Sequence, residues 1–271
     1  MIKMIYNSVI VRGGGDIASG TIQKLHRSGF KVLVLEIEKP TCIRRKVAFS
    51  EAVYNGKTVI EGIEAVLIRE KAEIISAWEE DVIPVAIDKE GKLIDIIKPY
   101  VVVDAILAKK NLGTNRKMAP ITIGLGPGFN AGKDVDVVIE TMRGHNLGRL
   151  IFHGFALENT GLPGEIGGCG KDRVIYSPCD GRIKNLKVIG DIVQIGEVVA
   201  IIEKEEVKSK VMGIIRGIIR NESIVSKGLK IADIDPRITE LKNFNTISDK
   251  ARNIGGGVLE AILFLRNTIK L

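Results

Sequence analysis

The stretch SVIVRGGGDIASGTIQKLHRSGFKVLVLE, residues 8–36, narrows the fold of the first part of the chain more than any other. A short apolar run ends in three glycines, which is how a fully buried strand reads when a tight turn closes it. Ile17, Ile22 and Leu25 then recur at helical spacing, and Gly29 stops the pattern. FKVLVLE comes next as a second buried strand. Strand, helix and strand within about thirty residues is the size of a right-handed crossover between parallel strands. Further apolar runs at 65–68, 82–87 and 100–107 extend the sheet. The expectation is an α/β, Rossmann-like domain with a mostly parallel sheet over residues 1–172.

Gly13, Gly15 and Ala18 match the G-x-G-x-x-G/A spacing, and Glu36 ends the second strand about twenty residues on. Glycines let backbone approach a pyrophosphate, the helix N-terminus offers free N–H groups, and an acid at the strand tip accepts ribose hydroxyls. Asp16 argues the other way, because a carboxylate at the helix start caps the same N–H groups and repels a phosphate. A phosphate cradle and a self-capped turn therefore both stand. Arg44 and Arg45 are the natural partners of a phosphorylated ligand, NADP included, or else a solvated basic pair. Asp104 and Lys109, late in or after a strand, are candidate acid and base, or turn residues.

A second glycine cluster, ITIGLGPGFNAG, brings Gly126 and Gly128 into the candidate cofactor set. Glu140, Arg143, His145 and Arg149 then fall within ten residues. The arginines would neutralise an anion, and His145 would move a proton near neutral pH. His145 and His153 match no compact metal motif, so no metal is expected.

From Tyr176 the texture changes to short strands and glycine turns, the pattern of a small all-β sandwich or barrel over residues 173–238. SPCDGRI…GDIVQIGEVVAIIE overlays GIIRGII…ESIVSKGLKIADID, with Gly181 on Gly217 and Gly196 on Gly228, at unequal spacing. The stretch resembles the barrel-sandwich fold of biotinyl and lipoyl domains. That resemblance puts Glu206, not a lysine, at the attachment position, with Lys204 and Lys208 off register by two. No covalent biotin or lipoate is expected. Residues 239–271 hold an apolar helix built on Val258, Leu259, Ile262, Leu263 and Leu265, expected to return to the first domain or to form a homo-oligomer interface. Gly255, Gly256 and Gly257 would bend it or admit a close neighbour.

Charge and composition set the limits. A net charge of +7 suits anionic ligands, but acids interleave the bases and only 4% of residues are aromatic, so no nucleic-acid partner is expected. No apolar run reaches the ~18 residues of a membrane span, and the N-terminus lacks a signal peptide's apolar segment. A cytoplasmic location is therefore the expectation. Cys42, Cys169 and Cys179 form no evident disulfide framework or redox pair.

RGGGDIASG, RRKVAFSEAVYNG, GLGPGFNAG, VIETMRGHNLGR, NTGLPG, KIADIDPR and GGGVLEAIL, in that order, resemble the YqeB family, accessory proteins of the selenium-dependent molybdenum hydroxylase system. The resemblance implies a role in maturing or supporting a molybdenum hydroxylase, with that enzyme or its maturation proteins as partners. It implies no particular reaction and assigns no catalytic residue. The expected ligand is NAD(P), another nucleotide, or a pterin such as the molybdenum cofactor. The rival readings are an NAD(P)-dependent oxidoreductase, with Asp104, Lys109 and His145 as its acid–base candidates, and a non-catalytic interaction scaffold.

Overall fold

The computed structural model describes residues 5–161 and 164–268. These divide into two compact units. The first comprises 5–40, 48–159 and 247–268, and the second 41–47, 160–161 and 164–246.

The first unit is built on a nine-stranded sheet. Its strands are β1 (Ile5–Arg12), β2 (Lys31–Glu36), β3 (Lys57–Ile60), β4 (Ile63–Ile68), β5 (Ile83–Ile87), β6 (Pro99–Asp104), β7 (Ile121–Leu125), β8 (Val137–Ile139) and β9 (Leu150–Ile151). They lie in the order β3-β4-β5-β2-β1-β6-β7-β8-β9. The seven from β4 to β8 run parallel, and β3 and β9 close the edges antiparallel. The order therefore reverses between β1 and β6.

Alternation along the strands sorts side chains to two faces. Val9 and Val11 of β1, with Val32 and Val34 of β2, enter one core cluster with α1 (Asp16–Arg27), Phe49 and the C-terminal helix. Ile10, Leu33 and Leu35 enter the other, under α3 (Ala72–Glu79) and α4 (Lys92–Ile97). A short helix, α2 (Ala52–Asn55), precedes β3. Trp78 of α3 donates its indole N–H to the carbonyl of Val32 at 2.8 Å, which satisfies its polar atom inside that core.

The C-terminal helix α5 (Asp249–Thr268) is continuous through its three glycines. Ala251, Ile254, Val258, Ala261 and Ile262 are buried in the first cluster. Two of the glycines have steric reasons. A Cβ at Gly255 would stand 2.5 Å from the carbonyl oxygen of Gly20, and one at Gly257 would overlap the carbonyl oxygen of Gly148. Gly20 in turn leaves no room for a Cβ against the carbonyl of Ala251. Helices α1 and α5 thus cross backbone to backbone.

The second unit holds β10 (Val174–Tyr176), β11 (Gly181–Asn185), β12 (Ile192–Val193), β13 (Val198–Ile202), β14 (Glu205–Lys208), β15 (Gly213–Ile218), β16 (Ile224–Val225) and β17 (Lys230–Asp235). They form two four-stranded sheets, β10-β17-β15-β12 and β14-β13-β11-β16. Advancing each strand of the first sheet by four places gives the second, so the unit is two copies of a four-strand motif. The offset between copies is 32 residues, Ser177 to Ser209. It also carries Gly181 to Gly213, Cys179 to Val211 and Gly196 to Gly228. Hydrogen bonds repeat with it. Ser177 donates its hydroxyl to Cys179 O and Ser209 to Val211 O, each at 2.6 Å, while Gly228 N donates to Ser177 O and Gly196 N to Ser209 O, each at 2.8 Å.

The overlay of Gly181 on Gly217 is therefore corrected to Gly213, and the unequal spacing disappears. Gly217 has a local reason of its own, since a Cβ there would stand 2.8 Å from the carbonyl oxygen of Ile43. The register at the central hairpin is corrected too. Ile202 pairs with Glu205, so the turn is Glu203–Lys204, and Glu206 lies within β14 opposite Ile201.

Candidate functional site

The glycine turn leaves β1 where the strand order reverses, the position at which open parallel sheets form a crevice. Its first two glycines meet protein atoms. Gly13 has φ +93°, and a Cβ there would stand 2.9 Å from the carbonyl oxygen of Ala105. A Cβ at Gly14 would stand 2.9 Å from the amide nitrogen of Ser50, which donates to Gly14 O at 2.9 Å. Gly15 is the N-cap of α1, extended and with no side chain to cap the helix. Asp16 is the first helical residue rather than the cap. The first-turn N–H groups of a helix have no intrahelical partner, and here no cap side chain takes them. Ala18 is buried in the core one turn in.

Glu36 ties the turn to the tip of β2. Its Oε1 accepts the Gly14 N–H at 2.7 Å and its Oε2 accepts the Ile37 N–H at 2.9 Å. Burial pushes the Glu36 carboxyl above its ordinary value, against the lowering effect of those two bonds.

The segment after α1's partner strand completes the wall. Phe49 N donates to Ser19 Oγ at 3.2 Å, and Ser19 Oγ donates to Gly15 O at 3.0 Å. Ser50 is fully buried, and its hydroxyl has no hydrogen-bond partner among the described residues. A buried hydroxyl without a partner is uncommon, and here it belongs to the residue pressed on Gly14. The sequence reading missed Ser50. Its only signal was a serine within the apolar run AFSEAV.

Beside the turn, Asp104 closes a buried network at the end of β6. Arg12 donates to Thr114 Oγ1, Thr114 donates to Asp104 Oδ2 at 2.6 Å, and Arg12 Nη1 lies 3.5 Å from the same oxygen. Ile106 N donates to Asp104 Oδ1 at 3.1 Å. Burial raises the Asp104 pKa despite the Thr114, Ile106 and Arg12 contacts that lower it. Asp104 is thus a latch for the loop after β6, not an exposed acid.

Lys109 is exposed on that loop with φ +61°, and His145 is exposed elsewhere. No hydrogen bond or ion pair joins Asp104, Lys109 and His145 among the described residues. The second glycine cluster is also explained by packing. A Cβ at Gly128 (φ +112°) would stand 2.7 Å from Lys110 Cα, and one at Gly126 would overlap Thr141 Oγ1.

The four arginines divide between the units. Arg44 and Arg45 lie in the second unit. Arg44 donates to Thr246 O at 3.2 Å and Arg45 to Ile218 O at 2.9 Å, so these guanidinium groups hold backbone carbonyls there. Arg143 forms a two-pronged pair with Asp249 at the start of α5, at 2.9 and 3.0 Å. Arg149 lines a groove of about 770 Å³ with Lys24, His145, Arg252 and Glu260; neither the glycine turn nor Glu36 contributes to it. Among the described residues, no three His, Cys, Asp or Glu side chains converge as a metal site would require. None of the described helices is long and apolar enough to cross a membrane.

No model of a known protein family matches the chain. Among solved structures, the product-bound ectoine utilization protein EutE (DoeB) from Ruegeria pomeroyi aligns at 10% identity over 86% of each chain, with a TM-score of 0.27. An aspartoacylase family protein from Mesorhizobium loti aligns at 13% identity over 86% of each chain, also with a TM-score of 0.27. Likeness at that level bears on neither fold nor activity. A curated relative is far nearer. The protein YqeB of Escherichia coli (strain K12) is 51% identical over 257 residues, which are 95% of this chain and 47% of the relative, so the chain spans about half the relative's length. Identity of that depth along nearly all of its residues makes this chain a member of the YqeB family.

Proposed function

We propose that the chain is a cytoplasmic accessory protein that matures or supports a selenium-dependent molybdenum hydroxylase, and that its first unit is a Rossmann-type domain holding a phosphate-bearing cofactor, nucleotide or pterin, at the start of α1. The observation that carries the ligand is the buried, unpartnered hydroxyl of Ser50 beside a helix N-terminus whose cap, Gly15, has no side chain. Four things favour an anion there: the helix dipole, the free N–H groups, that spare donor and the reversal of strand order. Glu36, at the β2 tip, has acceptor capacity left for a ribose diol and would repel a 2′-phosphate. With Arg44 and Arg45 engaged elsewhere, the reading favours an unphosphorylated ribose over NADP. The hydroxylase as partner rests on family membership.

Thermal unfolding against NAD, NADP, the nucleoside triphosphates and pterins tests the ligand. At a hundred times its dissociation constant a true ligand stabilises by about 2.7 kcal/mol, and Gly15→Trp should abolish that gain. No gain with any of them overturns the ligand. Hydroxylase made in cells lacking this protein should carry less molybdenum cofactor, and an equal content overturns the accessory role.

One observation favours a second reading, an interaction scaffold. Gly13 and Gly14 are already required by Ala105 and Ser50, so two of the three glycines need no ligand to explain them. The same titration separates the two readings.

A further inference from the structure

We infer that the groove along α5 is a second, independent binding site, for a small phosphorylated polyol such as a sugar phosphate. Its walls are Lys24 of α1, residues 145–149, and Arg252, Asn253, Gly256, Gly257 and Glu260 of α5. Its volume, about 770 Å³, lies in the range of small-molecule sites, roughly 300–1,000 Å³.

Of the three glycines of α5, packing leaves one unexplained. Gly255 and Gly257 are forced by backbone carbonyls, but a Cβ at Gly256 would meet nothing within 4 Å. A glycine in mid-helix is unfavourable relative to alanine, and alanine would fit here without contact. Gly256 lines the groove, so its bare backbone leaves room for something to lie flat on the helix.

The charges say what that something is. Arg252 is already neutralised by Glu61, at 2.8 Å, and also donates to Ile247 O. Lys24 and His145 engage no acid among the described residues, and Arg149 engages only Asn146, at 3.3 Å. Two standing positive charges and an imidazole thus face the groove with donors to spare, which suits a phosphate. Glu260 is the one acid in the lining and accepts hydrogen bonds only, while Asn253 both donates and accepts. A ligand with hydroxyls beside its phosphate uses both sets; bare phosphate uses one. Leu147 is the only large apolar side chain in the lining, which disfavours a lipid or an aromatic drug-like ligand.

The test is calorimetric titration and thermal unfolding with ribose 5-phosphate and with pyrophosphate, at constant ionic strength. Wild type should bind ribose 5-phosphate. Gly256→Leu, which fills the groove from an open position, should weaken it at least tenfold, and so should Arg149→Gln. Gly256→Ala should raise the melting temperature of the free protein. Glu260→Gln should weaken ribose 5-phosphate more than pyrophosphate. Gly15→Trp should leave binding unchanged, so this site and the glycine turn succeed or fail separately. The inference is overturned if ribose 5-phosphate gives no binding at constant ionic strength, if Gly256→Leu binds as wild type does, or if Gly15→Trp abolishes binding.

Discussion

The two glycine turns of the first unit grip the same loop from two places, and they end differently. Gly13 presses on the carbonyl of Ala105 and Gly128 on the backbone of Lys110, both with positive φ. Glycine serves the same end at each: it brings two backbones closer than a Cβ allows. The segments downstream set the turns apart. Gly15 opens a twelve-residue helix with no side-chain cap, whereas Gly128 leads to Asn130, whose N–H is taken by Asp134 at 2.8 Å, and then to β8. Beside the first turn Ser50 has a hydroxyl to spare; beside the second Thr122 and Asp136 satisfy each other. Glycine density therefore reports close backbone approach. The uncapped helix end and the spare donor, not the glycines, are what the proposed anion site rests on.

The largest expected effect tests the loop both turns hold. Asp104→Ala leaves Arg12 buried without its acid, and loss of one partner of a buried pair costs about 3–5 kcal/mol. Urea unfolding should show it, and a loss under 1 kcal/mol would mean that the loop is held by the glycines alone. Next come Gly13→Ala and Gly128→Ala. Each meets backbone strain of about 1–3 kcal/mol plus overlap with a neighbouring backbone, so both should lower the urea midpoint. If the first turn holds the proposed cofactor, Gly128→Ala, once corrected for its stability, should still gain from that ligand, while Gly13→Ala should not. Equal behaviour would make the turns equivalent and remove the distinction between them.

The sequence displays the strands of this unit openly because parallel strands covered on both faces read as unbroken apolar runs, as in 32–35 and 100–103. The start of α1 is legible for the same local reason. Contacts at long range are not. Arg12 and Asp104 are 92 residues apart, and nothing near either announces the pair. Arg44 and Arg45 look like phosphate ligands in sequence because guanidinium groups that bind backbone carbonyls have no residue signature at the other end. The repeat of the second unit was legible but misaligned. Gly213 and Gly217 compete for the match to Gly181, and only the strand order shows that the 32-residue offset is the right one.

A smaller effect concerns the acids beside the first turn. Glu36 and Asp104 both have raised pKa values in the folded protein, so the native state holds their protons more tightly than the unfolded chain does. Stability from this source is present below the unfolded values, ~4.3 and ~3.9, and is lost as pH rises through the folded ones. Asp235 in the second unit has the opposite sign. Burial raises its pKa, but the bonds from Arg237 outweigh it, and the net lowering makes its contribution disappear as pH falls. Glu36→Gln should flatten the loss of stability above pH 4 and cost about 1 kcal/mol for the weakened bond at Gly14 or Ile37. An unchanged slope from pH 4 to 7 in unfolding experiments would mean that Glu36 does not titrate as its burial requires.

The smallest expected change in stability is the most informative. Ser50→Ala removes a buried hydroxyl that makes no hydrogen bond among the described residues, so it leaves none of them unsatisfied and should shift stability by no more than about 0.5 kcal/mol, or raise it. If the hydroxyl donates to a bound phosphate, the same change should weaken the cofactor about tenfold, since one hydrogen bond to a charged group is worth at least ~1.4 kcal/mol. A matched Ser19→Ala is the control. Ser19 bonds Phe49 N and Gly15 O, so that variant should lose stability first and affinity only through it. Ser50→Ala with normal stability and normal affinity would remove the spare donor as a feature that sets the first turn apart from the second. The helix N-terminus would then stand alone, and a tight corner packed by glycine would be the better account of both.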